Sequence, residues 1–292
     1  MNKRKAPIIV IAVCMFVLIA AVLTVLILTG KLGGERHDPD KERFEKALSE
    51  RYGEDFVCLE WESSGIFEKP IRMSGICAPA RDISLRFMAD MEIGSETKLS
   101  DDYPWALASR QLSAELTKKF NKIWNEFSVD SGYLIIEEHD SAEFVPKIRE
   151  GTFDWRYYME QSISGSNFDF GVNAICTVLV DGSAATLSHE EEWNTLHGLM
   201  KEYNAELNKL DRYPGLSLSI YFAPSELYGE CAARMKAPRS LSSGNDDYLE
   251  FLEGKLGEPV YIGAGCGLTL DMIAEWKEPY LEYRKSIGKF NK

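Results

Sequence analysis

Gly263, Gly265 and Gly267 stand in YIGAGCGLTLDM, after a strand-like PVYIG and before a helix-like LDMIAEWKEPYLEYRKSIG. Glycines at such a junction let a backbone close on a pyrophosphate at a helix N-terminus, the chemistry of a dinucleotide fingerprint. Here the third glycine is misplaced, because the pattern needs it at 268, where Leu268 stands. Only 25 residues follow Gly267, too few for the next strand and its ribose-binding acid. Metal chemistry fails on spacing as well. His189 and His197 share a helical pattern but lie eight apart, over two turns, whereas two ligands of one ion sit four apart. HEEEW puts Trp193 where a zinc protease needs its second histidine, and DPDKE lacks the glycine and spacing of a calcium loop. No G-x-S-x-G and no C-x-x-C is present. We therefore expect no cofactor and no metal, and assign no catalytic residue. A cysteine nucleophile paired with His139 or His197 stays open, since sequence does not bring partners together. With 46 acidic residues, carboxylate pairs for glycoside cleavage cannot be found by counting.

Ser95 and Lys98 in SETK, Ser243 and Asn245 in SGN, and Lys255 with Gly257 in KLG are similar, in order, to the three motifs of penicillin-binding enzymes. That chemistry needs the serine at a helix start, the lysine within reach of its proton, and the third motif on a strand. In this chain SETK falls in a polar loop and KLG ends a helical pattern, so the motifs stand in the wrong contexts.

Two further sets carry weight. The stretch TFDWRYYMEQ mixes rings with polar groups, as peptide and sugar platforms do, and marks Phe153, Trp155, Tyr157 and Tyr158 as a candidate ligand surface. The alternative is that these aromatics fill a core, and exposure of Trp155 decides between the two. Among six cysteines, five follow residue 30: Cys58, Cys77, Cys176, Cys231 and Cys266. Cys58 and Cys77 fall on neighbouring short strand patterns and form the best candidate disulfide. An odd number leaves at least one thiol free in an oxidising space.

The elements that must position these residues begin at the N-terminus. From Ala6 to Thr29 there is no charge, a stretch long enough to cross a hydrocarbon core of about 30 Å as a helix. A cleaved secretory signal has a core of roughly 7 to 15 residues and a small-x-small site, and neither fits. Lys3, Arg4 and Lys5 crowd one end against Lys31 and Arg36 at the other, which favours a cytoplasmic N-terminus and an extracytoplasmic C-terminal domain. Retention of that domain in the cytosol is the alternative. The expected organisation is a basic tip over 1–5, a transmembrane helix over 6–29 with the bilayer as its partner, a stalk over 30–41, and α/β subdomains over 42–145 and 146–292.

The net charge of −13 arises from 46 acidic and 33 basic residues, which excludes a nucleic-acid partner. Apolar content of 45% is enough for a large core. Strand patterns are expected in DFVCLEW, IRMSGICA and DISLRFMADM, where Ile83, Leu85, Phe87 and Ala89 alternate with polar residues. A helix from about Asp102 carries Leu112, Leu116, Phe120, Ile123 and Phe127 on one stripe. A second, from SHEEEW, opens on a Ser188/Glu191 capping box. The fold class expected is α+β, a mostly antiparallel sheet covered by long helices, with two related strand–helix–strand units; a parallel pair across each helix is the alternative.

The basic tip, span, polar stalk and helix running into RYGEDFVCLEW resemble, over roughly residues 1 to 91, uncharacterised single-pass proteins of Gram-positive bacteria. That resemblance implies a membrane location and no site. Three functions follow as expectations: a non-enzymatic envelope domain that binds a protein, peptide or glycan; a cell-envelope hydrolase with an unrecognised site; or an accessory subunit of a membrane complex.

Overall fold

The computed structural model describes residues 38–63, 71–94, 97–134, 141–165, 173–183, 187–207, 209, 215–236, 247–263 and 273–290. Residues 44–292 form one compact unit and 1–43 another. The described strands all lie in the first of these and make two four-stranded sheets.

The first element among the described residues is α1 (Pro39–Tyr52), whose Phe44, Leu48 and Tyr52 recur every fourth residue on the buried side. Gly53, at φ 76°, takes the left-handed conformation that stops the helix, and its N–H donates to the Ser49 carbonyl. An antiparallel meander follows: β1 (Phe56–Ser63), β2 (Ile71–Pro79), β3 (Phe87–Ile93) and β4 (Thr97–Asp101). One face of this sheet meets α1 through Phe56, Cys58, Met73, Phe87 and Met91.

Next comes α2 (Tyr103–Phe120), with Pro104 in its first turn. Beyond it lie β5 (Phe127–Leu134), the short α3 (Val145–Arg149), α4 (Trp155–Gly165), β6 (Asn173–Asp181), α5 (His189–Leu207) and β7 (Gly215–Ala223). The chain ends through α6 (Ser225–Met235), α7 (Asp247–Leu256), β8 (Val260–Gly263) and α8 (Lys277–Phe290). The second sheet has the order β5-β6-β7-β8; β6 and β7 run parallel across α5, and the outer pairs are antiparallel. Its inner face, Ala174, Cys176, Val178 and Val180 with Leu216, Leu218 and Ile220, packs in one cluster with residues of α2, α4, α5 and α8. Part of its outer face, Leu179 and Tyr221, packs with residues of α6 and α7.

The α+β class stands, and the membrane architecture attached to it is corrected. No helix among the described residues is long and apolar enough to cross a membrane. The two longest, α2 and α5, have 18 and 19 residues and are amphipathic, with charged residues along their open faces. The stretch 6–29 lies outside the described residues. The single-pass span, its bilayer partner and the extracytoplasmic placement are therefore not carried forward.

Three local expectations also change. The strand expected from Ile83 starts only at Phe87, because the Asp82 carboxylate accepts from the Ser84 N–H at 3.2 Å and its hydroxyl at 2.6 Å and bends the chain there. Ile83 is left 59% exposed. The stripe of α2 ends at Phe120, since Phe127 pairs with Val180 in the second sheet. The two strand–helix–strand units differ in topology: β4 intervenes between β3 and α2, and β5 beyond the helix belongs to the other sheet, whereas β6 and β7 flank α5 as direct neighbours. The Ser188/Glu191 box does close, with the Ser188 N–H donating to Glu191 at 3.0 Å and the Glu191 N–H to Ser188 Oγ at 3.4 Å.

Inside the larger core sits a charged pair. The Glu192 carboxylate of α5 accepts from Arg284 Nε at 2.9 Å, Arg284 Nη2 at 3.1 Å and Trp124 Nε1 at 2.6 Å. Glu192 is fully buried and Arg284 is 2% exposed, its guanidinium lying 4.1 Å from the centre of the Phe222 ring. Such a pair fixes α8 against α5 more than it adds net stability, while breaking it strands a buried charge. Arg284→Met is expected to lower the unfolding free energy by about 3–5 kcal/mol. Adding Glu192→Met should regain part of this, leaving the orphaned Trp124 N–H. Urea unfolding midpoints at unchanged slope measure both.

Candidate binding surface

The aromatic stretch around Trp155 is placed in the core. Asp154 starts α4 by accepting the Tyr157 N–H at 2.8 Å. The helix then turns Trp155, Tyr158 and Met159 inward, and Phe153 packs with Phe144 beneath it. Trp155 is 2% exposed and Phe153 and Tyr158 are buried, so of the four candidates only half-buried Tyr157 keeps any open surface. The platform expected there is corrected to core packing. The physical reason is the helical period, which turns Trp155, Tyr158 and Met159 onto the face that meets α2 and α5.

What stays accessible beside Trp155 is a closed charge cluster joining three helices. Arg156 of α4 reaches Glu115 of α2 with both terminal nitrogens at 3.1 Å, and Glu206 of α5 through Nε and through Nη2 at 3.3 Å. Glu115 also accepts from Trp155 Nε1 at 3.0 Å and from the Tyr203 hydroxyl at 2.7 Å, and the Arg156 guanidinium sits 4.3 Å from the Trp155 ring centre. Burial works to raise the Glu115 pKa, but hydrogen bonds from Arg156, Tyr203 and Trp155 outweigh it and hold the carboxyl down at about 2. A carboxylate so held is a poor proton donor or acceptor near neutrality.

Other chemistry-bearing residues are spread out. His197 stacks on Trp193 with the rings 10° from parallel, and His189 is held below its ordinary value by burial and by Arg284. Lys255 pairs with Glu230 at 3.2 Å, and Lys98 lies opposite Glu92 on β4. His139, Ser95, Ser243, Asn245, Gly265, Gly267 and Cys266 lie outside the described residues. No group of three or more His, Cys, Asp or Glu that could hold a metal occurs among the described residues. Cys58 and Cys77 face each other across β1 and β2 as unbonded thiols.

Among the described residues, exposed apolar side chains occur on the first sheet at Leu59 and Met88, and on the outer face of the second sheet beside a row of small polar residues. Strand register sets Gly132, Ile175, Ser217 and Gly263 in one row and Asp130, Thr177, Ser219 and Tyr261 in the next. Tyr248 of α7 crosses to Asp130 at 2.9 Å and Thr177 at 3.5 Å, so the second row is covered at that end. Beyond it Tyr261 is 49% and Ile175 37% exposed, with half-buried Ser217 and Ser219 between them. A Cβ added at Gly263 would lie 3.2 Å from Ser217 Oγ, so the glycine keeps that hydroxyl clear. The sequence carries part of this signal: Ser217 and Ser219 alternate with Leu216, Leu218 and Ile220 in GLSLSIYFA. The cross-strand register that unites them with Ile175 and Tyr261 is absent from any single strand.

The fold resembles that of a DUF5037 family protein. A crystal structure of this protein from Ruminococcus gnavus matches with a TM-score of 0.53 at 18% identity, over 82% of this chain and 98% of that one. No protein-family model and no curated protein matches the sequence. The likeness fixes architecture and assigns no site.

The charge cluster gives a pH test. An unfolded glutamate ionises near 4.5, well above the folded value of about 2 for Glu115. Its contribution to stability is thus complete above about pH 5 and is lost as pH falls toward 2. Arg156→Met is expected to flatten the fall of the unfolding midpoint between those pH values while changing the neutral-pH slope little, as thermal melts across the series would show.

Proposed function

We propose that this chain is a non-enzymatic binding domain that takes a protein or peptide ligand on the open strip of its second sheet. The supporting observation is that Ile175, Ser217, Ser219, Tyr261 and Gly263 form an uncharged patch on a chain of net charge −13. The centres of protein interfaces are depleted in charge and enriched in tyrosine, whose ring gives large contact area at low entropy cost. Two serine hydroxyls supply adaptable polar contacts between the two apolar anchors. Glycan recognition would call for side-chain carboxylates or amides beside the ring, and the strip offers hydroxyls alone.

The described carboxylate clusters agree with a binding role. Glu115 and Glu206 are closed on Arg156, Glu192 on Arg284, and Asp101 on Arg51 and Tyr52. Each holds a fold together.

The test places a photo-crosslinking benzoylphenylalanine at Tyr261 in the full chain, expressed in the cells that make it. Irradiation is expected to give one discrete protein adduct, lost when Ile175→Asp is added to a chain whose circular dichroism is unchanged. Adduct formation no greater than from the same probe at Ile83, a 59% exposed position on the turn before β3 of the first sheet, overturns the reading.

A further inference from the structure

We propose that Cys58 and Cys77 are built to be joined as a cross-strand disulfide that clamps the edge strand β1 to β2 when the chain meets a small disulfide oxidant such as oxidised glutathione. The two residues are register partners in an antiparallel pair, with their sulfurs 2.8 Å apart. The Cys58 N–H points away from β2, toward Glu45 Oε1 at 2.8 Å. The pair is therefore of the non-hydrogen-bonded kind, in which Cα atoms sit about 4.5 Å apart and the side chains approach closest. That separation lies within the range a disulfide spans, roughly 4.4–6.8 Å.

The neighbourhood suits a clamp. β1 is an edge strand with a bulge between Cys58 and Glu60, and bulges interrupt pairing on the bulged strand. Opposite the bulge, Gly75 leaves room for the Glu60 carbonyl and the Phe44 ring, which a Cβ would meet at 3.0 and 3.2 Å. A bond at Cys58 pins β1 on the side where its ladder is irregular. The remaining described thiols cannot compete, because Cys176 and Cys231 belong to different hydrophobic clusters.

In the closed fold the pair is protected. Cys58 is 3% exposed and Cys77 fully buried, and the facing sulfur together with burial holds the Cys77 thiol far above its ordinary range. Exchange therefore proceeds through local opening of β1. One thiolate attacks the small disulfide, its S–S bond breaks and a mixed disulfide forms; the second thiolate then displaces the remaining half. Overall two S–H bonds and one S–S bond are exchanged for one Sγ–Sγ bond and two small thiols, which carry away both protons and both electrons.

The full chain, reduced and then held in graded mixtures of reduced and oxidised glutathione, is alkylated under denaturing, non-reducing conditions and mapped by peptide mass. The expected result is a linked Cys58–Cys77 peptide lighter by two hydrogens than its free halves. Oxidation should accelerate in sub-denaturing urea. The thermal midpoint should rise by roughly 6 to 12 °C on oxidation, the stabilisation of a closed loop of this length spread over a chain of this size. The Cys58→Ala/Cys77→Ala chain should show no oxidant-dependent shift. Both cysteines alkylated at every ratio, each capped by glutathione, or either bonded to Cys14 or Cys266, overturns the proposal. A linked pair without a rise in midpoint overturns the clamp.

Discussion

One helix serves two cores. The first turn of α2 puts Tyr103 and Ala106 into the cluster under the first sheet, and from Ala108 onward the same helix faces the second through Leu112, Leu116 and Phe120. Trp105 and Leu107 touch both clusters, as does Ile148 of α3. A helix of 18 residues is about 27 Å long, enough for two successive packing faces. The approach to its N-terminus is fixed by Asp101, which closes β4 and accepts from Arg51 at 2.8 Å, the Tyr52 hydroxyl at 2.6 Å and the Tyr103 N–H at 3.1 Å. The end of α1, the end of the first sheet and the start of α2 are thereby tied at one carboxylate. Loss of packing at the α2 stripe would loosen both sheets together, because α2 supplies buried residues to both cores and the short α3 reaches them only through partly buried Ile148.

The two sheets solve burial differently. The first is an antiparallel meander whose second face is mixed: Arg72, Ser74, Asp90 and Glu92 lie there at one end, and buried Ile76 and Ala78 with exposed Met88 at the other. The second contains a parallel pair, and parallel strands are stable where both faces are covered. Its inner face meets four helices, and its outer face is covered by α6 and α7 over Leu179 and Tyr221. Coverage stops short of Ile175 and Tyr261, at the start of β6 and on β8.

Much of this was legible where one element explains itself. The α2 stripe as far as Phe120, the capping box at Ser188 and the alternation in β3 follow from period and local hydrogen bonding, and the α+β class follows from their order. The errors came where tertiary partners outvote local pattern. Ile83 continues the alternation of β3 on paper, yet Asp82 and Ser84 form a side-chain turn that uses the backbone there. Phe127 continues the helical stripe, yet the ladder to Val180 claims it. Trp155 and its neighbours looked like a platform by composition, but the helix phase that buries them depends on where Asp154 caps α4. The open strip was invisible because its four side chains come from three strands separated by α5, α6 and α7, and register between strands is set by those connections.

An uncovered row in a sheet otherwise covered on both faces costs stability unless its side chains suit water. Here the centre of the strip is Ser217, Ser219 and Gly263, so apolar exposure is confined to Ile175 at one side and Tyr261 at the other. That composition keeps the strip from pairing indiscriminately, since patches that drive aggregation are larger and contiguous. It also sets what a ligand of the proposed surface must do: cover two apolar anchors two strand spacings across and one row along, roughly 12 Å apart, while meeting the hydroxyls between them. A ligand that covers either anchor alone leaves those hydroxyls half-desolvated and loses most of the gain. The spacing itself, fixed by the β6-β7-β8 ladder, thus acts as the measure by which the proposed surface would discriminate among partners.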